Sequence, residues 1–326
     1  MTIHLGFAPD AARARAVDRR MYSELAASLR HVIDACAENA PFDRSVMTHL
    51  VESLENGRRC PPEAFACYYD LVSALMDGDE DGARRISGEL TMHLGAAAER
   101  VLAPLRPLES CARSARYYRM MVGDASSIGM SPVDTPVAAS FADRFERGMA
   151  LMHRALPELA GEVDAIVHEV VPIASDPSRA TQIDGGSHFQ LWGALFLNAD
   201  FHQTDVAMLE VIAHETAHSL LFGLCTEEML VENADEELYP SPLRPDLRPM
   251  DGIYHATFVS ARMHWAMSSL LESGAAGESC SAGIAAARDA DRRNFEAGES
   301  VVGRHGQLTR LGRELMDGAR SYMAGA

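Results

Sequence analysis

The chain has 326 residues, and no stretch approaches the run of about 20 apolar residues that a membrane-spanning helix needs. Its formal net charge of -18 argues against nucleic acid or an anionic membrane as a partner, because both attract clustered positive charge. All 29 basic residues are arginine, so a Schiff-base lysine and the lysine of a phosphate-binding loop are both excluded.

The cysteines and the start of the chain predict the cellular compartment. The 6 cysteines form no Cys-x-x-Cys pair, which predicts reduced structural thiols rather than a disulfide framework or a thiolate zinc site. Residues 1–6 lack the basic segment and the apolar run of a signal peptide. We therefore predict a cytoplasmic protein, and the sequence leaves its oligomeric state open.

The first part of the chain has a helical pattern. Over residues 11–100, apolar side chains recur three and four positions apart, and prolines and an acidic turn interrupt them. Residues 123–136 are rich in glycine, serine and proline, which predicts a loop. We therefore predict a helical region over residues 1–130 and a catalytic region over 131–326, either as two regions or as one continuous domain.

The second part combines strand and helix patterns. Two apolar runs bounded by turn residues, 165–173 and 189–197, predict strands of a small sheet. Helical spacing predicts four further helices, over 137–155, 204–223, 250–272 and 282–323, the last interrupted near Gly303. The expected fold is a predominantly α-helical α+β protein. Its N-terminal half is helical. In its C-terminal half, we expect the small β-sheet to lie beside the predicted 204–223 helix, which carries a metal-binding motif.

A metal-binding motif lies in the predicted 204–223 helix. It reads His214-Glu215-Thr216-Ala217-His218. A spacing of four residues places His214 and His218 side by side on one helix face, where their ring nitrogens can bind one ion. The sequence therefore predicts a catalytic divalent transition metal at this helix.

The third metal ligand decides the chemistry, and two candidates follow the motif. Leu221 and Leu224 stand where a metzincin peptidase has its glycine and third histidine, so that class is excluded. Glu237 stands where a gluzincin peptidase has its glutamate ligand for zinc, and Glu215 would then be the general base. His255, at the start of the predicted 250–272 helix, is the alternative, and the residues alone leave both open.

Further segments accompany the motif in a characteristic order. They are the run Val171-Pro172-Ile173-Ala174-Ser175, the arginine- and proline-rich segment 239–250, and His255. From about residue 163 onwards the chain resembles the HExxH-motif family of peptide-modifying enzymes, which accompany ribosomally made peptide natural products. Members are described as iron(II)- and 2-oxoglutarate-dependent peptide β-hydroxylases. Leu243 replaces an expected tryptophan and Ala256 an expected glycine, which affects the lining of the pocket.

The resemblance implies a ligand set and a substrate. It implies that the three histidines bind iron(II), namely His214, His218 and His255. Arg244 and Arg248 would bind the distal carboxylate of 2-oxoglutarate, since an arginine fork suits a carboxylate. Glu215 would orient the ligands or bind the metal directly. The substrate would be a precursor peptide, and zinc is the metal of the peptidase alternative.

Overall fold

The computed structural model describes residues 3–36, 40–93, 100–123, 128–179, 181–241 and 246–326. It confirms a predominantly helical α+β fold. The α-helices in these ranges are α1 (Ala11–Ala35), α2 (Arg44–Glu55), α3 (Pro62–Met76), α4 (Glu80–Met92), α5 (Ala112–Val122), α6 (Thr135–Ala155), α7 (Pro157–Ile166), α8 (Asp205–Leu224), α9 (Met250–Ser273), α10 (Glu278–His305) and α11 (Arg310–Gly325). None of these helices is long and apolar enough to cross a lipid bilayer.

The strands are short. They are β1 (Val101–Leu102), β2 (Met130–Ser131), β3 (Glu169–Ser175), β4 (Gly185–Gly186), β5 (Ala194–Asn198), β6 (Leu238–Tyr239) and β7 (Arg248–Pro249). The first five form one sheet in the order β1-β3-β5-β4, with β2 paired to β3, while β6 and β7 form a separate antiparallel pair. The predicted strand at residues 165–173 begins later, at Glu169, because α7 continues to Ile166.

The chain divides into two compact units. Unit 1 comprises Met1–Ala14, Ser140–Ala165 and His202–Ala326, and unit 2 comprises Arg15–Ala139 and Ile166–Phe201. This division differs from the predicted boundary after residue 130. The sheet belongs to unit 2 together with the N-terminal helices, because β1 pairs in parallel with β3 and so joins both parts of the chain in one sheet. The metal-binding motif is in unit 1.

A buried carboxylate organises unit 2. Asp18 on α1 has a fully buried side chain. Its Oδ1 accepts a hydrogen bond from Trp192 Nε1 at 3.1 Å and lies 2.8 Å from His168 Nε2. Its Oδ2 forms an ion pair with Arg59 Nη2 at 2.7 Å. Because a buried charge is costly unless it is paired, these contacts hold α1 against the segments that flank β3 and β5.

A second buried carboxylate organises unit 1. Glu162 on α7 is fully buried and accepts from two arginines, Arg13 Nη2 at 2.7 Å and Arg262 Nη2 on α9. Arg262 also donates through Nη1 to the carbonyl of Phe7 at 2.7 Å, and Arg13 Nη2 donates to that of Ala8 at 2.9 Å. The N-terminal segment, α7 and α9 are therefore joined by one charged network.

The C-terminal helices are separate elements. The predicted interruption of the 282–323 helix lies at residues 306–309, between α10 and α11. Thr309 caps α11, since its side chain accepts from Gly312 N at 3.0 Å. A β-carbon on Gly312 would lie 2.0 Å from the carbonyl oxygen of Leu230, so only glycine fits this close approach. The carbonyl of Gly312 accepts from the Tyr254 hydroxyl at 2.8 Å, which connects α11 to α9.

Replacement of the buried carboxylate should destabilise unit 1. In Glu162→Gln the two guanidinium groups lose their counter-charge, and we expect the free energy of unfolding to fall by about 3 to 5 kcal/mol. Urea denaturation followed by circular dichroism measures the change. The matched control is Glu158→Gln, on an exposed position of the same helix, which should change the midpoint little. An equal effect of both changes would contradict the role given to Glu162.

Candidate metal centre

The His-Glu-x-x-His motif lies on α8, a regular helix with a capped N-terminus. Thr204 is its N-cap, and the Thr204 side chain accepts from Ala207 N at 3.1 Å. Most of α8 is buried, whereas His214 and His218 are partly exposed on one face. The His214 side chain keeps 27% of its surface, so an ion bound there would remain accessible to small molecules.

The structure brings the three predicted histidines together. His218 Nε2 lies 3.2 Å from His214 Nε2, and His218 Nδ1 lies 3.1 Å from His255 Nδ1 on α9. Two nitrogens bound to one ion at about 2.1 Å lie about 3.0 Å apart at a right angle and about 3.4 Å apart at the tetrahedral angle. The separation of His218 Nε2 from His214 Nε2 falls between these values, so the spacing of these two nitrogens fits a shared ion. The contact with His255 is made by the other nitrogen of His218.

The protonation of the cluster also suits a cation. Burial, followed by the neighbouring His214 and His255 rings, lowers the pKa of His218 well below its ordinary value. Burial likewise lowers the pKa of His255, although Asp251 opposes the shift. Since a metal binds the neutral imidazole, these two rings are in the required charge state at neutral pH.

Met263 orients the first histidine. His214 Nδ1 lies 3.0 Å from Met263 Sδ. A thioether sulfur only accepts, so we infer that Nδ1 carries the proton of the neutral ring and that Nε2 presents its lone pair towards His218. A partner on the outer nitrogen is how proteins fix the orientation of a metal-binding histidine.

His218 faces its two neighbours with opposite nitrogens. Nε2 points to His214, whereas Nδ1 points to His255, whose ring is stacked on that of His218 with centroids 5.4 Å apart. One imidazole binds one ion through one nitrogen. A three-histidine site therefore requires His255 to turn towards the Nε2 side of His218. Without that turn, His255 would hold His218 by a hydrogen bond and would not bind the ion.

Glu215 lies beside the histidines. Its side chain is 6% exposed, and Oε1 is 3.8 Å from His214 Nε2, the nitrogen inferred to face the ion. At this distance the carboxylate can orient a molecule bound at the centre or accept a proton from it. The arrangement is compatible with both roles predicted for Glu215.

Of the two predicted arginines, Arg248 lies in the described part of the chain, whereas Arg244 lies outside the described residues. Arg248 precedes α9 and forms an exposed ion pair with Asp246 at 3.3 Å. A β-carbon on Gly252 would lie 3.9 Å from Arg248 Nε, so the arginine side chain passes over the first turn of α9. Gly252 and His255 are three residues apart and share a helix face, which brings Arg248 to the His255 side of α9.

Glu237, the alternative third ligand, is engaged elsewhere. It lies in a non-helical segment before β6, fully exposed, and its Oε2 accepts from the Tyr239 hydroxyl at 2.7 Å and from Asn233 Nδ2 at 3.2 Å. These bonds lower the pKa of Glu237 and involve none of the three histidines. Among the two candidates, His255 is the residue that contacts His218.

Sequence reasoning missed two neighbours of the centre. Met263 contacts His214, and the Phe222 ring lies with its centroid 5.2 Å from that of His255. Phe222 follows His218 by four residues and therefore shares its helix face, which was a usable signal. Met263 had no signal, because its contact with His214 depends on how α8 packs against α9.

Comparison of the sequence with known proteins found no match: no protein-family model matches the chain, and no curated protein matches it.

Removal of single side chains should identify the third ligand. We expect His255→Ala to lower the bound iron by at least about tenfold, whereas Glu237→Ala should keep it. His264→Ala is the matched control, because His264 is another buried histidine of α9. Metal content per folded chain, measured by elemental analysis, checks this. Loss of metal in Glu237→Ala together with retention in His255→Ala would establish the opposite ligand set.

The metal-free protein should lose stability in acid. In the unfolded chain His218 titrates near its ordinary pKa of 6.5, but in the folded protein its pKa is well below that value. The unfolded state therefore binds more protons below about pH 6.5, and unfolding becomes easier by up to about 1.4 kcal/mol per pH unit for each such histidine. In EDTA, the temperature of half-unfolding should fall as the pH is lowered from about 7 to about 5. The fall should be smaller in His218→Gln than in the unchanged protein. Equal falls in both proteins would exclude His218 as a source.

Proposed function

We propose that this protein is an iron(II)- and 2-oxoglutarate-dependent oxygenase that hydroxylates the β-carbon of a side chain in a ribosomally made peptide. The observation that carries the proposal is the position of His218 between His214 and His255, with nitrogen separations of 3.2 and 3.1 Å. With His255 turned towards the Nε2 side of His218, the three histidines would hold one side of an ion and leave positions free for a bidentate 2-oxo acid and for oxygen.

The charge of the ligand set supports this choice. Neutral imidazoles would hold iron(II) without reducing its charge of two, so an anionic cosubstrate is attracted to the centre. When bound, iron(II) with 2-oxoglutarate and oxygen supplies the oxidising power needed to break an unactivated C–H bond. The histidines position the ion, and Met263 keeps the lone pair of His214 directed at it.

Arg248 is the candidate partner of the distal carboxylate of 2-oxoglutarate. Its guanidinium lies over the first turn of α9, on the face that also carries His255. The ion pair with Asp246 is exposed, so a carboxylate can replace it at little cost. Arg244 was predicted to share this role and remains a candidate on the sequence alone.

Glu215 supports a second candidate function. A buried carboxylate 3.8 Å from His214 Nε2 is also where a zinc metallopeptidase needs its general base. In the oxygenase Glu215 orients bound molecules, because hydrogen abstraction from carbon needs no protein base. The two candidates therefore predict opposite importance for this residue, and zinc would be the metal of the peptidase.

The proposal of a peptide substrate rests on the family resemblance and on the net charge of the chain. A net charge of -18 favours a neutral or basic partner over an acidic one. A precursor peptide encoded by a short neighbouring reading frame is the proposed substrate, and the modified side chain is to be identified by mass spectrometry.

The decisive experiment is oxygen-dependent turnover of the cosubstrate. Protein loaded with iron(II) under anaerobic conditions should develop a visible absorption band with 2-oxoglutarate. On admission of oxygen it should release succinate and add one oxygen atom to the peptide. Arg248→Ala should raise the KM for 2-oxoglutarate by about tenfold or more with a smaller change in kcat, since it removes a charged hydrogen bond. Glu237→Ala should leave both constants unchanged.

The peptidase gives a different set of results. It predicts cleavage of the peptide by the zinc-loaded protein, which Glu215→Gln abolishes while zinc remains bound. A folded, iron-loaded protein that shows neither the absorption band nor succinate in the presence of the peptide would overturn the oxygenase proposal. Retention of succinate formation in Glu215→Gln would in turn exclude Glu215 as an essential base.

A further inference from the structure

A second cluster of metal-binding side chains lies in unit 2, outside the site described above. Glu63 and Cys67 are four residues apart on α3 and therefore share a helix face, and His93 is the C-cap of α4. One ligand atom from each of the three lies within 4.8 Å of the others. Glu63 Oε2 and His93 Nε2 are 3.8 Å apart.

These distances are close to those of an occupied zinc site. With bond lengths of about 2.1 Å for nitrogen and oxygen and about 2.3 Å for sulfur, tetrahedral zinc holds its ligand atoms about 3.4 to 3.6 Å apart. The cluster thus needs to contract by at most about 1.4 Å, which side-chain rotation can supply. A thiolate, an imidazole and a carboxylate are ligands that zinc accepts, and a thiolate disfavours magnesium and calcium.

The surroundings orient Glu63 for this role. Arg116 on α5 donates to Glu63 Oε1 at 2.9 Å and also forms ion pairs with Asp70 and Glu89. Oε1 is therefore occupied by the guanidinium, while Oε2 faces His93. Two anionic ligands would balance the charge of one zinc ion, and Arg116 is already balanced by the remaining carboxylates.

Burial opposes both deprotonation of Cys67 and protonation of His93, so the thiolate of this site would form only when a metal ion stabilises it. Burial raises the pKa of Cys67 to about 12, so without a metal the thiol is not a nucleophile at neutral pH. Burial lowers the pKa of His93, which leaves its ring neutral. On metal binding the S–H bond of Cys67 breaks, a bond from zinc to sulfur forms, and the proton passes to solvent.

We propose that unit 2 binds one zinc ion through Cys67 Sγ, His93 Nε2 and Glu63 Oε2, with water in the remaining position. The ion would fasten the C-terminal end of α4 to the first two turns of α3 and so stabilise unit 2. This site is independent of the oxygenase centre in unit 1. It also departs from the sequence prediction that the cysteines are structural thiols only, because Cys67 and His93 come together through helix packing.

Cobalt(II) as a substitute for zinc tests the proposal directly in the whole 326-residue chain. Cobalt bound to a thiolate has an intense near-ultraviolet charge-transfer band, which an all-histidine site lacks. In the variant His214→Ala/His218→Ala, which removes both α8 histidines, we expect one equivalent of zinc or cobalt per chain and this band. Addition of Cys67→Ser should abolish the band, weaken zinc binding at least about tenfold and lower the zinc-dependent rise in thermal midpoint.

Cys60→Ser is the matched control. Cys60 is another buried free thiol of unit 2, whose pKa burial raises to about 11, and its replacement should leave the band and the zinc affinity intact. A band that survives Cys67→Ser, or a folded protein with neither band nor bound zinc, overturns the proposal. Should the α8 variant fail to fold, the same titration of the wild-type chain decides the matter, since the thiolate band reports cysteine alone.

Discussion

The ion-pair network around Glu162 is the interaction on which the candidate centre of unit 1 depends. Its carboxylate is buried between Arg13 and Arg262, and each arginine also donates to the N-terminal segment. Arg262 follows His255 by seven residues, or two helical turns, so the network holds the face of α9 that presents His255. Because a buried charge without its partner costs several kcal/mol, α9 cannot turn or slide without breaking this network.

The chain contains no lysine, and in both units single arginines contact several partners at once. In unit 2, Arg116 contacts three carboxylates at once, and in unit 1, Arg262 contacts a carboxylate and a backbone carbonyl. The planar guanidinium presents five donors in fixed directions, whereas the ammonium group of lysine is a compact point charge. Arginine is therefore the cation that can connect several buried groups through one side chain. In unit 2 this leaves one oxygen of Glu63 directed at His93.

Local sequence patterns predicted most of the helices. For some elements, however, the predicted first or last residue was wrong. The start of α8 after Thr204 and the interruption between α10 and α11 follow from residues within one or two turns of each feature. Helix α7 reached two residues into the predicted first strand, since an apolar run of this length fits either element. The membership of β1 in the sheet had no local signal, because β1 pairs with β3 about 70 residues later in the chain.

By itself the sequence determined that His214 and His218 are adjacent, because that contact follows from the period of a single helix. Packing between helices decided which further side chains join such a pair in a candidate metal site. It brought His255 to His218 from 37 residues away, left Glu237 exposed among other partners, and placed His93 beside Cys67. Helical spacing is a property of neighbouring residues, whereas contact between two helices depends on how buried groups such as Glu162 and Arg116 are satisfied across the whole unit.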